Sequence, residues 1–135
     1  MSEEEIFARL LPLVQEVTGA REHQIHMESV LMEDLGADSL DLLDLSFLIE
    51  EIFGVIIAAD EFERQATVRI AGTAYERDGL LTEEAAIELR KALPEVLPER
   101  LQAGMPKIAL PQVLNVAVFV HLIQRKLGEP KESGG

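Results

Sequence analysis

The run LGADSLDLLDLSFLIEEIFG, residues 35 to 54, leaves few folds open to this chain. Between a polar Asp38-Ser39 opening and Gly54, leucine, isoleucine and phenylalanine recur at every turn, with Asp41, Asp44, Glu50 and Glu51 set among them. Apolar residues at spacings of three and four mark an amphipathic helix. Leu40, Leu43, Phe47 and Ile52, with Leu42, Leu45, Leu48 and Ile49 beside them, form a broad apolar face, and the carboxylates fall on the others. A helix this apolar needs cover, so the flanking sequence must supply packing partners.

Upstream, Ser2 and Glu5 have the spacing of a capping box, in which the serine oxygen accepts a backbone N–H and the glutamate reaches back to the cap. Ile6, Leu10, Leu13 and Val17 then form one helical stripe that Gly19 can stop. Pro12 removes one backbone hydrogen bond inside it and predicts a kinked first helix. Residues 20 to 37 read as a long loop anchored by Ile25, Leu31 and Leu35.

Downstream, TVRIAGTAYERDGLLT (67 to 82) has β-branched and aromatic residues around a turn-like Arg77-Asp78-Gly79, which leaves a short hairpin open. Thr82 can cap a helix over EEAAIELRKAL, with Ala86, Leu89 and Leu93 on one side and an end near Pro94. Pro98, Gly104 and Pro106 punctuate a short piece around Glu99 to Leu101. Pro111 suits the first turn of a last helix running to about Leu127, and residues 129 to 135 read as a disordered tail. There is no internal repeat. The elements predict an all-α fold, a small helical bundle in a single domain at 1–128.

With 47% hydrophobic residues but only six aromatics, the core must be aliphatic. The net charge of −13 is uneven: residues 1 to 63 hold 16 acids against Arg9 and Arg21, a balance of −14, while residues 64 to 135 hold 9 acids and 10 bases, a balance of +1. Such a surface repels nucleic acid and favours partners with basic patches. The absence of cysteine excludes disulfides, a thiolate zinc site and a cysteine nucleophile. His23, His26 and Met27 lie close together in the loop but lack ligand spacing, so no metal site is expected. The most apolar run, residues 108 to 123, is interrupted by Pro111, Gln112, Asn115 and His121 and is too short for a membrane span. The acidic MSEEEIF start, where a secretory signal would be basic, predicts a cytoplasmic protein.

A small polar residue opening a helix usually serves as its cap. Asp38 is the better cap here, which leaves the Ser39 hydroxyl free at a helix start, where N–H groups and the macrodipole favour a phosphate. A nucleophilic role for Ser39 would need a base and an oxyanion hole, and GADSL lacks the G-x-S-x-G elbow. No catalytic residue is therefore assigned.

LGADSLDLLDLSFLIEEIFGV (35 to 55) resembles the signature of acyl carrier proteins, and the resemblance extends back through SVLMEDLGAD and the first helix and forward to about Asp60. It implies a four-helix bundle in which Ser39 carries a 4'-phosphopantetheine arm, flanked by Asp38 and followed by Leu40, an apolar residue that steadies the arm. It also implies that Asp41, Asp44, Glu50 and Glu51 dock on basic patches of partner enzymes. A phosphopantetheinyl transferase, using Mg2+ and coenzyme A, would load the arm. Acyl groups held on its thiol would then pass to fatty-acid, lipid or polyketide enzymes, with the protein a non-catalytic monomer. A peptidyl or D-alanyl carrier is the alternative within that chemistry, and an unmodified carrier-fold docking protein the alternative outside it. Phe47, Leu48, Ile52, Val55, Ile57 and residues of the last helix are expected to shelter the acyl chain.

The chain departs from the family at residues 62–109, which read as an insertion between core segments 3–60 and 110–127, with one extra helix. The last helix, LPQVLNVAVFVHLIQRKL, is apolar around much of its girth and wants cover on more than one side. The helix near 83 to 93 is expected to supply that cover, and the insertion to enlarge or gate the acyl pocket. Ile56 and Ala58 stand where the family often has an acid and a proline.

Overall fold

The computed structural model describes residues 1–58, 60–70 and 72–128. The tail expected at 129–135 lies outside them. Among the described residues the architecture is five α-helices, α1 Glu3–Thr18, α2 Ser39–Phe53, α3 Glu61–Arg69, α4 Glu83–Ala92 and α5 Val116–Gly128, with one two-stranded hairpin, β1 Glu76–Arg77 and β2 Leu80–Leu81. The chain is the helical bundle its patterning predicts.

Helix α1 opens on the Ser2–Glu5 capping box and ends where Gly19 takes φ 75°. Pro12 lies on its exposed side, and the helix continues to Thr18. Ile6, Leu10, Leu13 and Val14 turn inward, against α2 on one side and α5 on the other. The loop after α1 is anchored as expected by buried Ile25, Leu31 and Leu35.

Helix α2 corrects the sequence reading. Leu40, Leu43, Phe47 and Ile52 are exposed, Leu40 by 69% and Phe47 by 59%, while Leu45, Ile49 and Phe53 point into the core. At 100° per residue, Leu40, Asp44, Phe47 and Glu51 form one stripe on the water side, and positions 45, 49 and 53 lie roughly opposite. Large apolar side chains stand on both sides, so they alone do not decide between them; the carboxylates do, because Asp44, Glu50 and Glu51 are all on the exposed side.

The segment from 61 to 109 is more helical than its sequence suggests. Residues 67 to 69, expected near a hairpin, belong to α3. The hairpin itself is confined to the four residues around Asp78 and Gly79, both at positive φ (54° and 80°), as a tight two-residue turn requires. Thr82 caps α4, its hydroxyl accepting the Ala85 N–H at 3.2 Å. Ala85, Ala86 and Leu89 of α4 are buried, and the helix packs chiefly on α3, where the far face of α5 was the expected partner.

Helix α5 begins at Val116, later than Pro111 suggested. Pro111 instead sits in a 3-10 segment, Lys107–Val113, and the cap is Asn115. Its Oδ1 accepts the Val118 N–H at 3.0 Å while its amide donates to the Glu95 carbonyl at 3.0 Å. One buried side chain thus starts the last helix and ties it to the segment after α4.

A second tie is charged. His121 of α5 places Nδ1 2.6 Å from Glu95 and Nε2 3.3 Å from Glu3. Burial opposes its protonation, but hydrogen bonds to Glu95 and Glu3 outweigh that and raise its pKa above the usual imidazole value. A raised folded pKa stabilises the fold fully below the unfolded value, about 6.5, and the gain is lost as pH rises through the folded pKa. His121→Gln should therefore lower the melting temperature more at pH 6 than at pH 9; equal losses at both would show that the ion pairs contribute nothing.

Candidate functional site

The loop before Ser39 is pinned from two directions. Its Leu31 N–H donates to the Leu114 carbonyl at 3.0 Å, and the Val116 and Ala117 N–H groups donate back to Ser29 (3.0 Å) and Met27 (2.9 Å). Arg100, from the segment after α4, forks onto the Glu33 carboxylate, with Nη1–Oε1 at 2.9 Å. Within the loop, the Asp34 carboxylate accepts the Val30 N–H at 2.7 Å and Ala37 N–H bonds to the Leu31 carbonyl at 2.9 Å. Gly36, at φ 75°, makes the turn that delivers Asp38 to the helix start.

Asp38 is the cap of α2. Its Oδ1 accepts the Asp41 N–H at 2.8 Å, and Asp41 Oδ2 accepts the Asp38 N–H at 3.0 Å. Ser39 is the first helical residue, exposed, and among the described residues its hydroxyl has no hydrogen-bond partner. The N–H groups of Ser39 and Leu40 are likewise unpaired there, as the first turn of a helix leaves them. A phosphodiester on Ser39 Oγ would meet these donors and the positive end of α2. The residues present fit a phosphopantetheine.

Beside the serine opens a mostly apolar cavity of about 230 Å3. Ser39, Leu42, Leu43 and Ser46 form its α2 wall; Ile57, Ala58 and Phe62 follow from the turn into α3, and Pro111, Leu114 and Phe119 close it from the α5 side. Beyond Ser39 the α2 wall carries the Ser46 hydroxyl, which donates to the Leu42 carbonyl at 3.1 Å.

Of the residues expected to shelter an acyl chain, Ile57 and, on the last helix, Phe119 line this cavity. Phe47 and Ile52 are exposed instead, and Leu48 and Val55 lie away from it. The reason is helical geometry: a cavity that starts at Ser39 must be walled by positions three, four and seven residues on, namely 42, 43 and 46. Among the described residues from 62 to 109, only Phe62 lines the cavity.

The acidic positions separate into two groups. Asp44, Glu50 and Glu51 are exposed on the face that carries Leu40, Leu43 and Phe47, whereas Asp41 is half-buried and engaged in the cap. Apolar side chains bordered by like charges form a surface suited to another protein.

A helical bundle that holds a spare serine hydroxyl at a helix start, beside an apolar cavity and an acidic apolar face, is built as a carrier. Residues 8–69 match the family model described as a phosphopantetheine attachment site. The chain is 43% identical over 67 residues to an acyl carrier protein of Thermotoga maritima, covering 50% of this chain and 83% of that protein. It is 36% identical over 69 residues to an acyl carrier protein of Coprothermobacter proteolyticus, covering 51% of this chain and 84% of that one. No solved structure matches it. The chain belongs to the acyl carrier protein family, whose cofactor is 4'-phosphopantetheine. The family match reaches residue 69 and so includes α3, beyond the limit near Asp60 drawn from the sequence. No helix among the described residues is long and apolar enough to cross a membrane.

Proposed function

We propose that this protein carries acyl intermediates as thioesters on a 4'-phosphopantetheine arm attached to Ser39 and presents them to enzymes of fatty-acid, lipid or polyketide biosynthesis. The observation that carries this reading is the spare, exposed Ser39 hydroxyl at the mouth of an apolar cavity, with capping already supplied by Asp38. In loading, Ser39 Oγ forms the new bond to the phosphorus of coenzyme A, adenosine 3',5'-bisphosphate leaves, and the serine proton passes to a base of the transferase. Asp38 holds the helix start in place, and Leu40, exposed beside Ser39, offers an apolar contact to the arm or to a partner. The supply of a thiol from outside suits a chain with no cysteine.

The test is the intact mass after incubation with a phosphopantetheinyl transferase, Mg2+ and coenzyme A. A gain of one phosphopantetheine supports carriage; no gain with a transferase that is active on other carriers favours an unmodified docking protein.

Asp44, Glu50 and Glu51 form the docking face for enzymes with basic patches, centred on Leu40, Leu43 and Phe47. Replacing Asp44 and Glu50 by lysine should slow transfer to or from partner enzymes about tenfold at low salt. Thermal stability should stay within about 0.5 kcal/mol because both side chains are exposed. The rate difference should shrink as salt rises; an unchanged rate would place docking elsewhere. The continuous core from α1 to α5 supports one domain over 1–128; a cytoplasmic monomer is part of the same proposal.

A further inference from the structure

Behind the cavity at Ser39 the sign of the surface reverses. Ala58 lines the cavity on one side and, on the other, an open groove between α3 and the end of α5. Among the described residues, Arg64, Arg69, Arg125 and Lys126 line that groove against a single lining carboxylate, Glu61. Glu61 is already engaged, one oxygen accepting the Ala58 N–H at 3.1 Å and the other lying 3.3 Å from Lys126 Nζ. Asp60 approaches Arg64 only to 3.9 Å, and both are mostly exposed, so that pair neutralises little. The groove is therefore locally cationic in a chain of net charge −13. Over a screening length of about 8 Å at physiological salt, a bound anion feels these four cations more than the carboxylates on α2.

The cavity's size gives this position a meaning. A cavity of about 230 Å3 holds a limited stretch of chain, not an acyl group of any length. Ala58 belongs to both linings, so a longer acyl group that leaves the cavity on that side reaches the groove. An alkyl end arriving there meets water and guanidinium groups. An anionic end meets opposite charge, while the exposed Ile56 and Val68 beside the groove can cover the last methylenes.

We propose that cavity and groove together accept an acyl group whose far end bears a carboxylate or similar anion, with the methylene chain in the cavity and the anion among Arg64, Arg69, Arg125 and Lys126. The inference rests on Ser39 as the attachment site. It also sets a lower limit on length, because a carboxylate stranded inside the apolar cavity would lose its hydration with no partner to replace it. An acidic protein segment could use the same cations, but the shared wall at Ala58 favours the acyl chain.

The experiment loads the full chain from decanoyl- and decanedioyl-coenzyme A and follows thioester cleavage by hydroxylamine. The decanedioyl form should be cleaved about three- to tenfold more slowly than the decanoyl form at low salt, with the gap closing as salt rises. Arg64→Gln with Arg125→Gln should abolish the gap and leave decanoyl cleavage unchanged, which also shows that the variant is folded. Equal or faster cleavage of the decanedioyl form overturns the inference. So does a variant effect that is the same for both chains, which would show that the cations act on the cavity or the fold and not on the far carboxylate. Absence of any loading would instead overturn the carrier reading on which it rests.

Discussion

Ser39→Ala is expected to abolish phosphopantetheine loading completely while leaving the fold and its melting temperature nearly untouched. The two halves of that result have separate causes. Loading needs an oxygen to bond to phosphorus, and alanine offers none. Stability needs the cap of α2, which Asp38 provides through the 2.8 Å bond from the Asp41 N–H; Ser39 contributes no side-chain hydrogen bond among the described residues. Alanine is also the better helix former by a few tenths of a kcal/mol. The companion change Asp38→Ala should cost about 1 kcal/mol as a lost cap and slow loading only partially. A Ser39→Ala protein that still gained phosphopantetheine would place the attachment on another hydroxyl, and one that unfolded would show that the serine is structural.

The largest loss of stability is expected from Leu89→Glu. Leu89 is fully buried on the inner face of α4, in the same core as Ile6, Leu45 and Ile123. Truncating a buried leucine costs about 2–5 kcal/mol, and an unpaired buried carboxylate adds desolvation or forces its own protonation. At about 3–5 °C per kcal/mol for a chain of this size, the melting temperature should fall by at least about 10 °C. The helical signal should be lost in one transition, because α4 packs on α3 and Phe62 of α3 forms part of the cavity at Ser39. If the remaining helices melted at the original temperature, residues 61 to 109 would be an appendage with no share in the core.

The parts of this fold legible in the sequence were those set by local chemistry. The Ser2 and Asp38 caps, the stops at Gly19 and Gly54, the Asp78-Gly79 turn and the Thr82 cap each depend on residues within three or four positions. They stand where the pattern put them. What failed depended on partners distant in sequence. The inward face of α2 was misread because large apolar side chains stand on both sides, and only the position of Asp44, Glu50 and Glu51 broke the tie. Helix α3 was hidden because ERQATVR is polar, with β-branched residues at Thr67 and Val68, and gains its burial through Phe62 and Ala66. The start of α5 was misplaced by Pro111, although Asn115 three residues before Val118 carried the capping signal. At the site, Ser39 and its cap were readable from one motif. The cavity was not, since most of its wall comes from residues 57 to 62 and 111 to 119.

The bonds that join Leu31 to Leu114 and Ser29 to Val116 have a consequence for the order of events in a cell. Their donors and acceptors lie more than eighty residues apart. On a ribosome adding about 5–20 residues per second, Ser39 is made several seconds before the segment that fastens its approach. Until Ala117 has cleared the exit tunnel, the serine stands on a tether with one end loose. Maturation of this carrier then reports on more than its own helix: an enzyme that needs Ser39 held at a fixed helix start meets it only once the segment through Ala117 has been made and has folded back onto the loop.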